Sequence, residues 1–130
     1  MLFRSVVAER FSAADLMHGP IAMVERAFPV FVFAPCGVTW EPVSGVLERV
    51  AKLTSETLAI ADADNHEVAT KASRVISVPA IPRADEGAPV DLYTPIPLIV
   101  PAQLFAAHLA SIKGLDPDRP RTLQKVTQTL

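Results

Sequence analysis

Residues 28–35, FPVFVFAP, are an unbroken apolar run of β-branched and aromatic residues between two prolines. A strand with one wet face alternates apolar and polar residues, whereas a continuous run marks a strand covered on both faces. Strands of that kind occur mainly in parallel sheets with helices above and below, so this one run narrows the fold sharply. The next segment agrees. EPVSGVLERVAKL (41–53) puts Val43, Val46, Leu47 and Val50 on one helical face and leaves Glu48, Arg49 and Lys52 polar. TLAIAD (57–62) reads as a second buried strand and RVISVP (74–79) as a third, ended by Pro79. Strand, helix, strand with short links predicts a parallel sheet with helical crossovers. Three such strands leave at least one edge in need of cover, so the chain reads as part of a larger α/β domain.

The remaining segments are a connection, a helix and a tail. AIPRADEGAPVDLYTP (80–95) holds four prolines and a glycine and predicts an irregular surface connection. A long helix follows from about Ile96, with Leu98, Ala102, Phe105, Leu109 and Ile112 as one apolar stripe. Ile99, Gln103, Ala106 and Ala110 form a second, mostly small face, and Lys113-Gly114 supplies a basic last turn and a glycine stop. The tail 115–130, with Pro117 and Pro120, is expected to run extended. The stretch 96–112 is shorter than the roughly 20 residues of a spanning helix and contains two prolines, Gln103 and His108. It therefore reads as a buried core or interface helix, with no membrane partner.

Half of the 130 residues are hydrophobic, net charge is −2, and no basic face stands out, which sets nucleic acid aside. The single cysteine, Cys36, excludes an internal disulfide and fits a reducing cytoplasm. MLFRSVVAERF is interrupted by Arg4 and Arg10 and is not a signal peptide. Cys36 follows the first strand and precedes a helix, where a helix N-terminus can lower a thiol pKa. A phosphatase loop would need an arginine where Pro42 stands, and a small buried residue is the default reading. Asp62 and Asp64 end the second strand, an edge where α/β folds bind ligands; without a third nearby carboxylate or a matching lysine for a magnesium site, they read as a solvated turn. His18, His66 and His108 show no metal spacing, and His108 reads as a packed histidine. His18-Gly19-Pro20 joins a group that titrates near neutrality to a permissive and a rigid residue. Taken alone, it reads as a structural turn rather than an active-site loop, because one histidine in a loop specifies no chemistry.

Two segments in order, AERFSAADLMHGPIAMVERAFPVFVFAP (8–35) and YTPIPLIVPAQLFAAHLASIKGLDPDRPRTLQKVT (93–127), resemble the sugar isomerase (SIS) domain family. LERVAKLTSETLAIADAD (47–64) fills the middle less specifically. Within that family the similarity points to the isomerase part of glutamine–fructose-6-phosphate aminotransferases and to glucosamine-6-phosphate deaminases. The resemblance implies a three-layer αβα, flavodoxin-like fold with a parallel sheet, incomplete at its N-terminus. Residues 1–7 are an unmatched segment and residues 8–130 the C-terminal part of a single SIS domain.

The resemblance also implies a chemistry, aldose–ketose isomerisation of an amino-sugar phosphate with amine transfer or loss. In the family the histidine of the His-Gly-Pro loop assists opening of the sugar ring and is contributed across a dimer interface. That role falls on His18. The family's tail lysine, which forms a Schiff base with the ketose carbonyl, matches Lys125, and Gln124 beside it falls at the substrate. Small residues are more usual at that position. The implied partners are a phosphorylated amino sugar and either a second copy or the missing N-terminal half. No metal or organic cofactor is implied. The family's hydroxyl-rich phosphate loops are not in this stretch, and its catalytic carboxylate position falls near Leu2. Glu9 lies two helical turns further on, roughly 10 Å along an axis at 1.5 Å per residue. A non-catalytic sugar-phosphate-binding or regulatory module and an interaction protein are the alternatives.

Overall fold

The structure, a computed structural model, describes residues 7–80 and 90–119. Gln124 and Lys125 lie outside the described residues, as does most of the tail expected to run extended. In chain order the elements are α1 (Ala13–Met17), a 3-10 turn (Pro20–Met23), β1 (Val30–Ala34), α2 (Trp40–Val50), β2 (Thr57–Asp62), α3 (Val68–Lys71), β3 (Arg74–Val78), a 3-10 turn (Val90–Leu92) and α4 (Pro95–Ile112). The three strands expected from the apolar runs form one sheet in the order β1-β2-β3, with both pairs parallel. Val32 faces Ala59 and Ala59 faces Val75, so these three side chains share one face.

That shared face carries the helices of both crossovers. Leu47 of α2 and Val68 of α3 pack with Ala34, Ala59 and Ala61, and Val32, Trp40, Val43 and Val75 close the cluster. Alanines on the strands let the α2 backbone come close, and Leu47 fills the space they leave. Lys71 fastens α3 to α2, because its Nζ donates to Ser44 Oγ at 2.7 Å and to Glu48 Oε1 at 2.5 Å. This bond and charge hold the Glu48 carboxyl below its usual range.

The opposite face belongs to α4. Ile60, Ile76 and Val78 meet Leu98 and Ala102 there, which completes helix, sheet and helix as three layers. The sheet-facing stripe begins as expected, with Leu98 buried and Phe105 meeting Phe31 edge to face at 4.8 Å between ring centroids. Of the two readings, buried core helix or interface helix, the first does not hold for most of its length. Leu98 alone of its residues is buried, and Leu104 is 65 % exposed. By length and composition α4 is apolar enough to cross a membrane, over 18 residues at mean hydropathy 1.5. His108, expected to be packed, is exposed.

β1 also departs from expectation. It is not covered on both faces: Phe31 and Phe33 are 42 % and 43 % exposed. The cause is position. β1 stands at the end of the strand order, and α4 crosses over β2 and β3. β2 has a strand on each side and is buried at every residue but Leu58.

Leu47→Ala is expected to destabilise the fold by about 2–5 kcal/mol, because it empties the centre of the main core. Val38→Ala, at a site 79 % exposed, should stay within about 0.5 kcal/mol. Urea unfolding of both variants checks the contrast.

Candidate functional site

The His-Gly-Pro loop is built by two short elements leaning on α2. Ser12 caps α1, its Oγ accepting from the Asp15 amide at 3.1 Å and donating to Asp15 Oδ2 at 2.7 Å. His18 ends that helix, its backbone N–H donating to the Asp15 carbonyl at 3.1 Å. Gly19 then turns the chain with φ 151° and ψ −51°, a conformation that residues with a Cβ rarely adopt. Pro20 starts the following 3-10 turn, where a missing N–H costs nothing. Leu16, Met17, Ile21 and Val24 anchor both elements on Val46 and Val50 of α2 and on Val30. The result presents His18 outward. Its imidazole is exposed and makes no hydrogen bond among the described residues.

A second constellation lies at the carboxyl end of the sheet, where α/β folds bind ligands. Three side chains from two segments, the end of β2 and the turn that starts at Val90, hold the loop from Pro35 to Thr39. Asn65 Nδ2 donates to the Ala34 carbonyl at 3.1 Å and to that of Pro35 at 3.3 Å, while its Oδ1 accepts from the Val68 amide. Asp62 Oδ2 accepts from the Cys36 amide at 3.1 Å. Asp91 Oδ2 accepts from both the amide and the hydroxyl of Thr39, at 2.7 and 2.8 Å. Each aspartate keeps its Oδ1 buried without a partner among the described residues. Asp62 itself is 2 % exposed. Beside the loop opens a cleft of about 370 Å³, lined by Phe33, Pro35, Asp91, Thr94, Leu98 and Ile99 among others.

These surroundings decide the character of Cys36. Burial pushes its thiol up, and the Asp62 and Asp64 carboxylates push it further. The possibility of a thiol activated by a helix N-terminus is therefore not realised, because α2 begins only at Trp40 and carboxylates face the sulfur instead. Asp62, read from sequence as a solvated turn at the sheet edge, is a buried clamp, whereas Asp64 is exposed. Asn65 and Asp91 were not singled out by sequence. The only trace of Asn65 was a polar residue just past a buried strand, and nothing marked Asp91. His18 is not gathered into this constellation. Its loop packs with Val30 at the start of β1 and Val50 at the end of α2. Among the described residues no three of His, Cys, Asp and Glu come together as a metal cluster.

Parallel strands in series, with both crossovers on one face and α4 on the other, define a three-layer αβα domain with a parallel sheet. Residues 1–113 match the SIS domain family, and the chain belongs to that family. It is similar to the isomerizing glutamine–fructose-6-phosphate aminotransferase of Acidithiobacillus ferridurans, 38 % identical over 118 residues and 91 % of this chain. The enzymes of that name from Pyrococcus horikoshii and Escherichia coli K12 are 37 % and 34 % identical, over 92 % and 91 % of this chain. The chain spans 18 % of the length of each of these relatives.

Alkylation tests the Cys36 environment. Iodoacetamide at pH 7.5 should react with Cys36 more slowly than with a cysteine in an unstructured peptide, whose thiol titrates at about 8.5. Asp62→Asn should speed the reaction and move its pH midpoint down. A wild-type rate equal to the peptide's would contradict the burial and charge described.

Proposed function

We propose that this chain supplies the C-terminal part of a phosphosugar isomerase or deaminase domain acting on an amino-sugar phosphate. The reaction is aldose–ketose isomerisation with amine transfer or loss at C2. One observation carries the reading: identity of 34–38 % over nine-tenths of the chain to isomerizing aminotransferases whose name specifies fructose 6-phosphate.

In this scheme His18 assists opening of the sugar ring, taking and returning the proton of the ring oxygen and the anomeric hydroxyl. An outward imidazole on a loop pinned to α2 suits a sugar held by another subunit, which supports use across an interface. Lys125 attacks the ketose carbonyl as the neutral amine, and loss of water leaves the imine. A free lysine with a pKa near 10.4 is neutral in only about one molecule in 2,500 at pH 7. Lys125 therefore needs desolvation or a neighbouring cation in the assembled site. Gln124, next in sequence, offers an amide to the sugar hydroxyls. The proton shuttle between C1 and C2 calls for a carboxylate base. By the resemblance, the family's carboxylate position falls near Leu2, which favours a non-catalytic sugar-phosphate-binding module as the second reading.

Partner contacts belong to the same proposal. β1 lies at the end of the strand order with Phe31 and Phe33 half exposed, and α4 leaves Ile96, Val100 and Leu104 exposed. These apolar side chains suit the first half of an SIS domain or a second copy of the chain.

Sedimentation at micromolar concentration should therefore find the chain self-associated. A folded 14.0 kDa monomer would count against the partner surface. Borohydride with fructose 6-phosphate should leave the isolated chain unlabelled. Adding the first half of an SIS domain as a separate polypeptide should label Lys125, and Lys125→Arg should abolish the label while keeping the charge. A label that survives Lys125→Arg overturns the lysine assignment. Turnover of the assembled pair that is unchanged by His18→Asn overturns that of the histidine.

A further inference from the structure

Asp91 does more than accept two hydrogen bonds. Its Oδ2 takes the amide and the hydroxyl of Thr39, the residue that caps α2, and so places a carboxylate where a helix N-terminus favours negative charge. Its Oδ1 is buried, finds no donor among the described residues, and rests against Gly37. A Cβ built on Gly37 would stand 2.0 Å from that oxygen, so only glycine admits the approach. One turn later the Asp91 carbonyl accepts from Thr94 Oγ1 at 3.3 Å. Thr94 is 1 % exposed, and its own carbonyl receives the Leu98 amide in the first turn of α4. Asp91 thus joins the first turn of α2, above one face of the sheet, to the first turn of α4, above the other. Both Asp91 and Thr39 line the cleft of about 370 Å³ at the carboxyl end of the sheet.

From this we infer that the Asp91–Thr39 contact is a latch. It locks the start of α4 to the start of α2, and its release opens the carboxyl-end cleft between them. The contact is poised rather than permanent because its two oxygens are treated unequally. One accepts two hydrogen bonds. The other is shut away from water and has no donor among the described residues. The lock is shape-specific as well, since Gly37 alone leaves room for it. The rest of the sheet does not depend on it: Ala59 and Ile60 are buried between β1 and β3, held by ladder pairs on both sides.

Amide hydrogen exchange, followed residue by residue on the whole chain, tests the latch. Asp91→Ala should raise exchange by about tenfold at Thr39, as expected for loss of a hydrogen bond to a charged group. The Leu98 amide should rise with it, and Ala59 and Ile60 should keep their protection. Gly37→Ala should give the same pattern without altering Asp91. Asp91→Asn, which keeps an acceptor but no charge, should fall between. Trp40, the single tryptophan and the residue after Thr39, should report the same order by its fluorescence. Faster exchange at Thr39 with Leu98 unchanged would reduce Asp91 to a local cap and overturn the latch. Unchanged exchange at Thr39, or loss of protection that spreads to β2, would overturn it as well.

Discussion

A parallel strand cannot turn back directly onto its neighbour; the chain must cross to the other end of the sheet before the next strand can start. That constraint organises this molecule. With strands in the order β1-β2-β3, α2 and α3 make the two crossings on one face, and the other face stays open for α4. β2 becomes the interior strand, closed in by both neighbours and both helical layers, and its small residues set how near those layers come. β1 is left at an edge. All three strands deliver their carboxyl ends to the same side, where the loops meet.

At that side the backbone leaves the ladder and needs other partners. Asn65 takes the last carbonyl of β1 and that of Pro35 after it, Asp62 the next amide, and Asp91 the amide of the residue capping α2. Each interaction is between residues 26 to 52 positions apart, so the loop has its shape only once the sheet has formed. Burial, and after it the Asp62 and Asp64 carboxylates, hold the Cys36 thiol above its usual range. A helix N-terminus that elsewhere receives a ligand's anion here receives one from the chain itself.

The apolar surface and the family membership fit one picture. α4 buries Leu98 against the sheet and leaves most of its other large apolar side chains outside. β1 leaves two phenylalanines half exposed. The relatives devote five-sixths or so of their length to other sequence, since this chain spans 18 % of each. An exposed apolar surface and an outward His-Gly-Pro loop are what the proposed role across a protein interface requires.

The sequence by itself determined the class of fold. The unbroken run 28–35, the amphipathic period of 41–53 and the short apolar runs at 57–62 and 74–79 record local geometry, because strand and helix periods are written in neighbouring residues. It also carried the His-Gly-Pro loop, whose glycine at φ 151° is a backbone requirement that only one residue type meets freely. The tertiary structure alone decided what is covered. FPVFVFAP is composed for two covered faces, but burial depends on which element lies alongside, and β1 fell at the end of the strand order. The polar clamp was equally illegible. Asn65, Asp62 and Asp91 carry no pattern along the chain, since their hydrogen-bond partners are distant in sequence and meet them only when parallel pairing brings the strand ends together.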